Sequence, residues 1–224
     1  MPEKSKAASL EESKSEEHIS ITSSYLLLVE GKDEYHFFNA LLEFLTIKKV
    51  QVHDVGGKDK FKKKITSFVK IPGFSNVKKL GFVRDAEKES AKRAFDSICD
   101  ILKANELPCP KSIGKVEYSE DTEITQIGIF IMPNNKDEGM LENLCLSSIE
   151  NDPFSAERKS YMSALKEYFK ENKSFNIPKA ETQIYLASKV PIVTALGLGA
   201  EKGYWDFNNS AFDDIKKFLR DLFC

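Results

Sequence analysis

Three stretches of the chain are almost continuously apolar over the length of a strand: Tyr25 to Gly31 (YLLLVEG), Lys79 to Asp85 (KLGFVRD) and Ile124 to Pro133 (ITQIGIFIMP). Runs of this kind suit strands covered on both faces, as in a parallel sheet. Between and after them the period changes from continuous to helical. Phe37, Ala40, Leu41, Phe44 and Leu45 share one face of Asp33 to Leu45, with Asp33 suited to a cap or first turn. Phe61, Ile65, Phe68 and Val69 do the same in Asp59 to Val69, and Ser90 to Lys103 gives a third helix. Val50 to Val55 reads as a further strand, followed by a turn at Gly56-Gly57.

Strands alternating with helices predict an α/β fold with a mainly parallel four-stranded sheet and right-handed crossovers. Pro108 to Asp121 is rich in turn formers and predicts a loop or hairpin before the last strand. A helix is expected to begin near Gly139, with others at Ser155 to Phe169, Lys179 to Ala187 and Phe212 to Phe223. The expected organisation is a polar tail over 1–22, an α/β core over 23–150 and a helical extension packed on that core over 151–224. The first twenty residues, rich in Glu, Lys and Ser, have no apolar stretch suited to a secretory signal.

Composition narrows the function classes. The 224 residues are 41% hydrophobic and 30% charged, with a formal net charge of -2, so no global excess of charge points to nucleic acid or a membrane. No run approaches the roughly 20 apolar residues of a membrane span. Cys99, Cys109, Cys145 and Cys224 form no CxxC pair, and His18, His36 and His53 are dispersed. A zinc site, a disulfide framework and a histidine-based triad are therefore disfavoured, and reduced thiols in a cytoplasmic protein are the expectation. Oligomeric state is not legible.

The carboxylates are placed where chemistry collects. In a doubly wound sheet, ligands gather at the carboxyl ends of the strands. Glu30 ends the first strand, Asp85 ends the third with Glu87 two residues on, and Asp137, Glu138 and Glu142 follow the fourth. Several acids on one rim suit Mg²⁺ or Mn²⁺, hard cations that take oxygen ligands. Gly31 would allow a tight turn there, while Lys32 and Arg84 could offset phosphate charge. Each acid also has a plainer reading as a helix-end residue favoured by the dipole. Glu142 could be an ordinary helical glutamate, and Asp137 and Glu138 could simply cap that helix.

VEGKDE followed by an amphipathic helix and then GFVRDAE resembles the TOPRIM domain of topoisomerases, primases and overcoming-lysogenization-defect nucleases. The likeness is greater to small stand-alone TOPRIM-like proteins of the DUF3226 type, with segments similar to VGGKDKF, IMPNNKDEGMLENL and AEKGYWDF, from Leu26 to the C-terminus. The resemblance implies a TOPRIM-like Rossmannoid fold, with Glu30 as general acid/base or metal ligand and Asp85 and Glu87 holding the metal. Asp33 would match an EGxxD/E variant of the nuclease branch. Glu87 stands where the usual DxD motif has a second aspartate. No tyrosine-bearing cleavage domain is present, which counts against topoisomerase activity.

Local charge adds one more signal. Ten lysines lie between Lys48 and Lys79 against two acids, Asp54 and Asp59. Within that segment Lys58, Lys60, Lys62, Lys63 and Lys64 could contact a phosphate backbone, or form an ordinary solvated helix face. The single tryptophan, Trp205, is expected in the core, with base stacking by Tyr204, Trp205 and Phe207 as the alternative. The functional expectation is a metal-dependent phosphoryl-transfer protein, a nuclease acting on DNA or RNA. A noncatalytic module for nucleic acid, nucleotide or protein is the alternative; a nucleotidyl transferase would need a second nucleotide site, and none is evident.

Overall fold

The computed structural model describes residues 20–120 and 122–224, without the side chains of residues 58–60, 62 and 64. Most of the expected polar tail lies outside the described residues. Ordered packing is already present at Ile21, which is buried, and at Thr22, whose N–H donates to Gln51 Oε1 at 2.9 Å.

Five strands, β1 (Tyr25–Val29), β2 (Val50–Asp54), β3 (Lys79–Asp85), β4 (Val116–Tyr118) and β5 (Gln126–Met132), form one sheet in the order β2-β1-β3-β5-β4. The four strands expected from the sequence are mutually parallel. The expected loop or hairpin before β5 supplies a fifth, three-residue strand, antiparallel to β5 at the sheet edge. Its short alternation of Val116, Glu117 and Tyr118 is too brief to announce a strand by pattern.

Helices α1 (Lys32–Phe44), α2 (Lys58–Phe68), α3 (Ala91–Ala104) and α4 (Leu141–Ser148) follow strands, and α5 (Ser155–Tyr168), α6 (Ile177–Ala187), α7 (Leu196–Glu201) and α8 (Asp213–Phe223) complete the chain. The six-residue α7 is an addition to the sequence reading. Its run LGLGAE holds two glycines, which weaken any helical signal. Because strand side chains alternate between faces, the sheet separates two cores. Leu26, Leu28, Leu80 and Phe82 face α2 and α3, whereas Leu27, Val29 and Val83 face α1, α4, α6, α7 and α8. The later helices thus share one core with β1 and α1, and α5 packs outside them on α6.

The chain leaves β1 for β2 on one side, then passes back over to β3 on the other. The carboxyl ends of β1 and β3 therefore flank the point where the connections diverge, which is where such sheets open a crevice. Trp205 is 1% exposed, stacks on Tyr185 at 4.8 Å and donates to the Leu196 carbonyl at 3.1 Å, so it is a core residue and unavailable to a base. The cysteine expectation needs correction: Cys99 and Cys109 are disulfide-bonded, with Cα atoms 5.7 Å apart, while Cys145 and Cys224 are free. Ten residues of sequence separate the pair, and the turn after α3 brings them together, which scattered spacing does not reveal.

Candidate acidic site

Glu30 leaves the end of β1 and Asp85 the end of β3. The Asp85 N–H donates to Glu30 Oε2 at 3.4 Å, so the two strand ends are linked through the glutamate side chain. Asp85 is buried, at 9% exposure, and its Oδ1 accepts the N–H of Leu141 at the first turn of α4, at 3.1 Å. A carboxylate is stabilised there by the free N–H groups and dipole of the helix. Above the same ends, Gly57 N–H donates to the Glu30 carbonyl at 2.8 Å, folding the β2–α2 turn over β1. Gly56 and Gly57 both have positive φ, 78° and 101°, a succession that strongly favours glycine.

Electrostatics ties these residues to two others. The Asp85 carboxyl is held well above the usual carboxylate range by burial first, then by the charges of Glu34, Glu30 and Glu142, against which the Leu141 N–H acts. Burial likewise pushes Glu34 up to about 7, opposed by a backbone N–H and reinforced by Glu30, Glu142 and Asp33. Glu142 is raised by burial, with Lys179 acting in the other direction at 3.9 Å. The thiol of Cys145, fully buried one helical turn on, is raised by burial and by Glu142, Asp33 and Glu34.

Glu34 is the residue that the sequence reading missed. It lies in the same VEGKDE motif, in the first turn of α1, while Glu30 precedes the N-cap Gly31 at the end of β1. Its place among the acids of that motif was the available signal. Gly31 keeps the space beside it clear, since a Cβ there would lie 3.1 Å from Glu34 Oε2.

The expected site residues divide as follows. Glu30, Asp85 and Glu142 share one neighbourhood with Glu34. Asp33 adjoins it, but its Oδ1 accepts the Gly197 N–H of α7 at 2.8 Å. Glu87 is not among the largest charge influences on Asp85; its backbone pairs with Gly139 in both directions, at 2.7 and 2.8 Å, bracing the loop before α4. Lys32 is exposed at the start of α1. Arg84 is turned away: it is 5% exposed, on the opposite sheet face from Asp85, and its guanidinium reaches the Ala94 carbonyl of α3 at 3.4 Å. Adjacent positions on a strand point to opposite faces, which is why Arg84 and Asp85 part. Asp137 and Glu138 are exposed, and Asp137 accepts from Asn134 at 2.7 Å within its own turn. Lys63 is exposed on α2, while the side chains of Lys58, Lys60, Lys62 and Lys64 lie outside the described residues.

Among the described residues, no group of three or more His, Cys, Asp or Glu is already arranged to hold a metal ion. The acids form a crowded electrostatic neighbourhood, not a finished coordination sphere. No helix is long and apolar enough to cross a membrane, among the described residues.

The family described as "Protein of unknown function (DUF3226)" matches residues 24–224. No match is found among curated proteins. Among solved structures, the chain is similar to the C-terminal region of the Xanthomonas campestris pv. campestris OLD protein, in structures phased with mercury, iodine and platinum. The mercury-phased structure has 15% identity and a TM-score of 0.36, covering 91% of this chain and 89% of that one. The iodine-phased one has 15% identity and a TM-score of 0.37, covering 90% and 82%. The platinum-phased one has 15% identity and a TM-score of 0.35, covering 90% and 86%. Likeness of this degree assigns no activity.

Proposed function

The chain belongs to the DUF3226 family, and from that premise and its acidic site we propose that it is a metal-dependent phosphoryl-transfer protein, a Mg²⁺- or Mn²⁺-dependent nuclease acting on DNA or RNA. The observation that carries this reading is that Glu30, Glu34 and Glu142, from the end of β1, α1 and α4, all bear electrostatically on the buried Asp85 at the end of β3. Burying several carboxylates together is costly unless protons or a cation neutralise them. An all-oxygen donor set suits a hard divalent ion, and Glu30, Glu34, Asp85 and Glu142 would hold it. Such an ion, when bound, supplies charge neutralisation for a phosphodiester.

The chain's own groups supply the rest. Glu34, with its carboxyl near neutrality, can hold or release a proton at working pH. The Leu141 N–H fixes Asp85, and Lys179 and Lys32 add positive charge at the rim for an incoming phosphate. Cleavage of plasmid DNA or RNA should require Mn²⁺ or Mg²⁺ and disappear in Glu30→Gln and Asp85→Asn. If calorimetry detects no metal binding and these variants behave as wild type, the catalytic reading fails.

A noncatalytic nucleic-acid or nucleotide-binding role is the second reading, favoured by the lack of a preassembled ligand set among the described residues. It expects an affinity that falls steeply with salt, survives Asp85→Asn and weakens when Lys62, Lys63 and Lys64 are neutralised.

A further inference from the structure

The segment IMPNNKDEGMLENL supplies Glu142 and the Leu141 N–H to the acidic site, and its other polar residues border a cavity of about 540 Å³. The end of α4 and the short 3-10 helix Ser210–Phe212, which precedes α8, complete the walls. Small-molecule clefts usually measure roughly 300 to 1,000 Å³, so the space is of ligand size. The cavity begins beside the acids. Asn143, on its wall, follows Glu142 directly in α4, and Pro133 follows Met132, the register partner of Asp85.

Its lining is polar with almost no charge. Four asparagines and three serines face it; among the described lining residues there is no lysine or arginine, and the one acid, Glu150, is paired with Lys159. Some of these groups hold the walls. Asn209 Nδ2 donates to the Ser148 carbonyl at 2.9 Å and its Oδ1 accepts the Ala211 N–H at 2.9 Å, which ties the 3-10 helix to α4. Asn134 Oδ1 accepts the N–H groups of Lys136 and Asp137 at 3.1 and 3.0 Å and fixes its own turn. Other groups are left over. Asn143 Oδ1 accepts the Met140 N–H at 3.0 Å, but its Nδ2 has no protein partner among the described residues, and neither have the side-chain amide of Asn151 and the hydroxyl of Ser210. The Ser147 and Ser148 hydroxyls donate to the Leu144 and Cys145 carbonyls at 2.6 and 2.7 Å, so their oxygens remain acceptors.

A free phosphate or carboxylate would find no cation on these walls, and an organic cation would find only a carboxylate that Lys159 already engages. Neutral donors and acceptors set among the apolar surfaces of Pro133, Leu144 and Ala211 suit a neutral, planar group with donors and acceptors on its edge. A nucleobase is such a group, and an asparagine amide matches its edge with one donor and one acceptor side by side. We propose that this cavity receives a nucleobase of the nucleic acid whose phosphate is engaged at Glu30 and Asp85. The proposal rests on the phosphoryl-transfer reading for the phosphate and on the cavity alone for the base.

The test uses adenosine, guanosine, cytidine and uridine, which carry a base but no phosphate. Each is titrated without metal into the full chain and followed by amide-resolved NMR, with ribose as the control. Saturable shifts at residues 133–134, 143–151 and 209–211 are expected with at least one nucleoside and not with ribose, and they should persist in Asp85→Asn. Affinity should fall about fivefold in Asn151→Ala and in Ser210→Ala, each the loss of one hydrogen bond from an exposed position. Asn143→Asp keeps the oxygen that accepts the Met140 N–H and removes only Nδ2, so it tests that donor without uncapping α4. Where homopolymeric nucleic acid is cleaved, the rate should depend on the base, and these variants should relax that preference. Nucleoside shifts without cleavage would sink the nuclease reading and leave the base site standing, whereas cleavage indifferent to base, with no nucleoside shifts, would do the reverse. Absence of shifts with every nucleoside, equal shifts with ribose, or affinities unaltered in all three variants overturns the proposal.

Discussion

Gly81 and Gly128 stand opposite one another in β3 and β5, and α8 fills the room that their absent side chains leave. A Cβ on Gly81 would lie 2.8 Å from Leu222 Cδ2, and one on Gly128 would lie 2.7 Å from Phe218 Cε2. Gly81→Val and Gly128→Val should each lower stability by about 1 to 3 kcal/mol, because neither helix nor sheet can retreat without opening the core. Urea unfolding monitored at Trp205 measures this. A valine variant as stable as wild type would mean that α8 does not sit on this pair.

The acidic site should make stability depend on pH. Glu34 has its carboxyl at about 7 in the folded chain against an ordinary value of 4.5. Between those values the folded state keeps a proton that the unfolded state has lost, so stability falls as pH rises through that window and is flat above it. The full effect has an upper bound of about 3 kcal/mol. Glu34→Gln should flatten this slope, as read by denaturant midpoints across the window.

Cations should act in the opposite sense. At about pH 8, where the acids are ionised, Mn²⁺ at roughly 100 times its dissociation constant should stabilise the fold by about 2.7 kcal/mol. The gain should shrink at about pH 5.5, where protons compete for the same oxygens, and vanish in Asp85→Asn. Thermal unfolding with and without Mn²⁺ decides; equal stabilisation of the Asp85→Asn variant would place the ion elsewhere.

Arg158 is 1% exposed between α5 and α6, with Nε on Glu181 Oε1 at 3.1 Å and Nη2 on the Ile149 carbonyl at 3.2 Å. Its Nη1 has no partner, so the buried charge depends on Glu181. Glu181→Ala should cost about 3 kcal/mol, since it strands a buried cation. Arg158→Met should cost less. Denaturant unfolding of the two variants checks the order.

Thiol counting tests the disulfide. Native protein should show one readily reactive thiol, the exposed Cys224, with buried Cys145 appearing on unfolding. Cys99 and Cys109 should react only after reduction. Three or more thiols in unreduced, unfolded protein would show the pair to be open.

Continuous apolar runs made β1, β3 and β5 legible, because strands buried on both faces need no alternation and little else of that length is so apolar. β3 spans the expected residues. Elements whose stability comes from tertiary contacts were not legible: β4 depends on β5, and α7 on its packing against α1. At the site, Glu30 and Asp85 were readable as strand-end acids. Glu34 was hidden by its ordinary look as a first-turn glutamate, and Arg84 was misjudged because adjacency in sequence conceals opposite faces in a strand.

Asp33 and Gly197 meet across 164 residues, and the contact admits no side chain at Gly197, where a Cβ would lie 2.5 Å from the Asp33 carbonyl. This gives the molecule a temporal order. α1 leaves a ribosome well before the segment that clasps it, which follows 164 residues later. A nascent chain that has not yet made α7 therefore carries Asp33 without the N–H that it accepts in the folded protein.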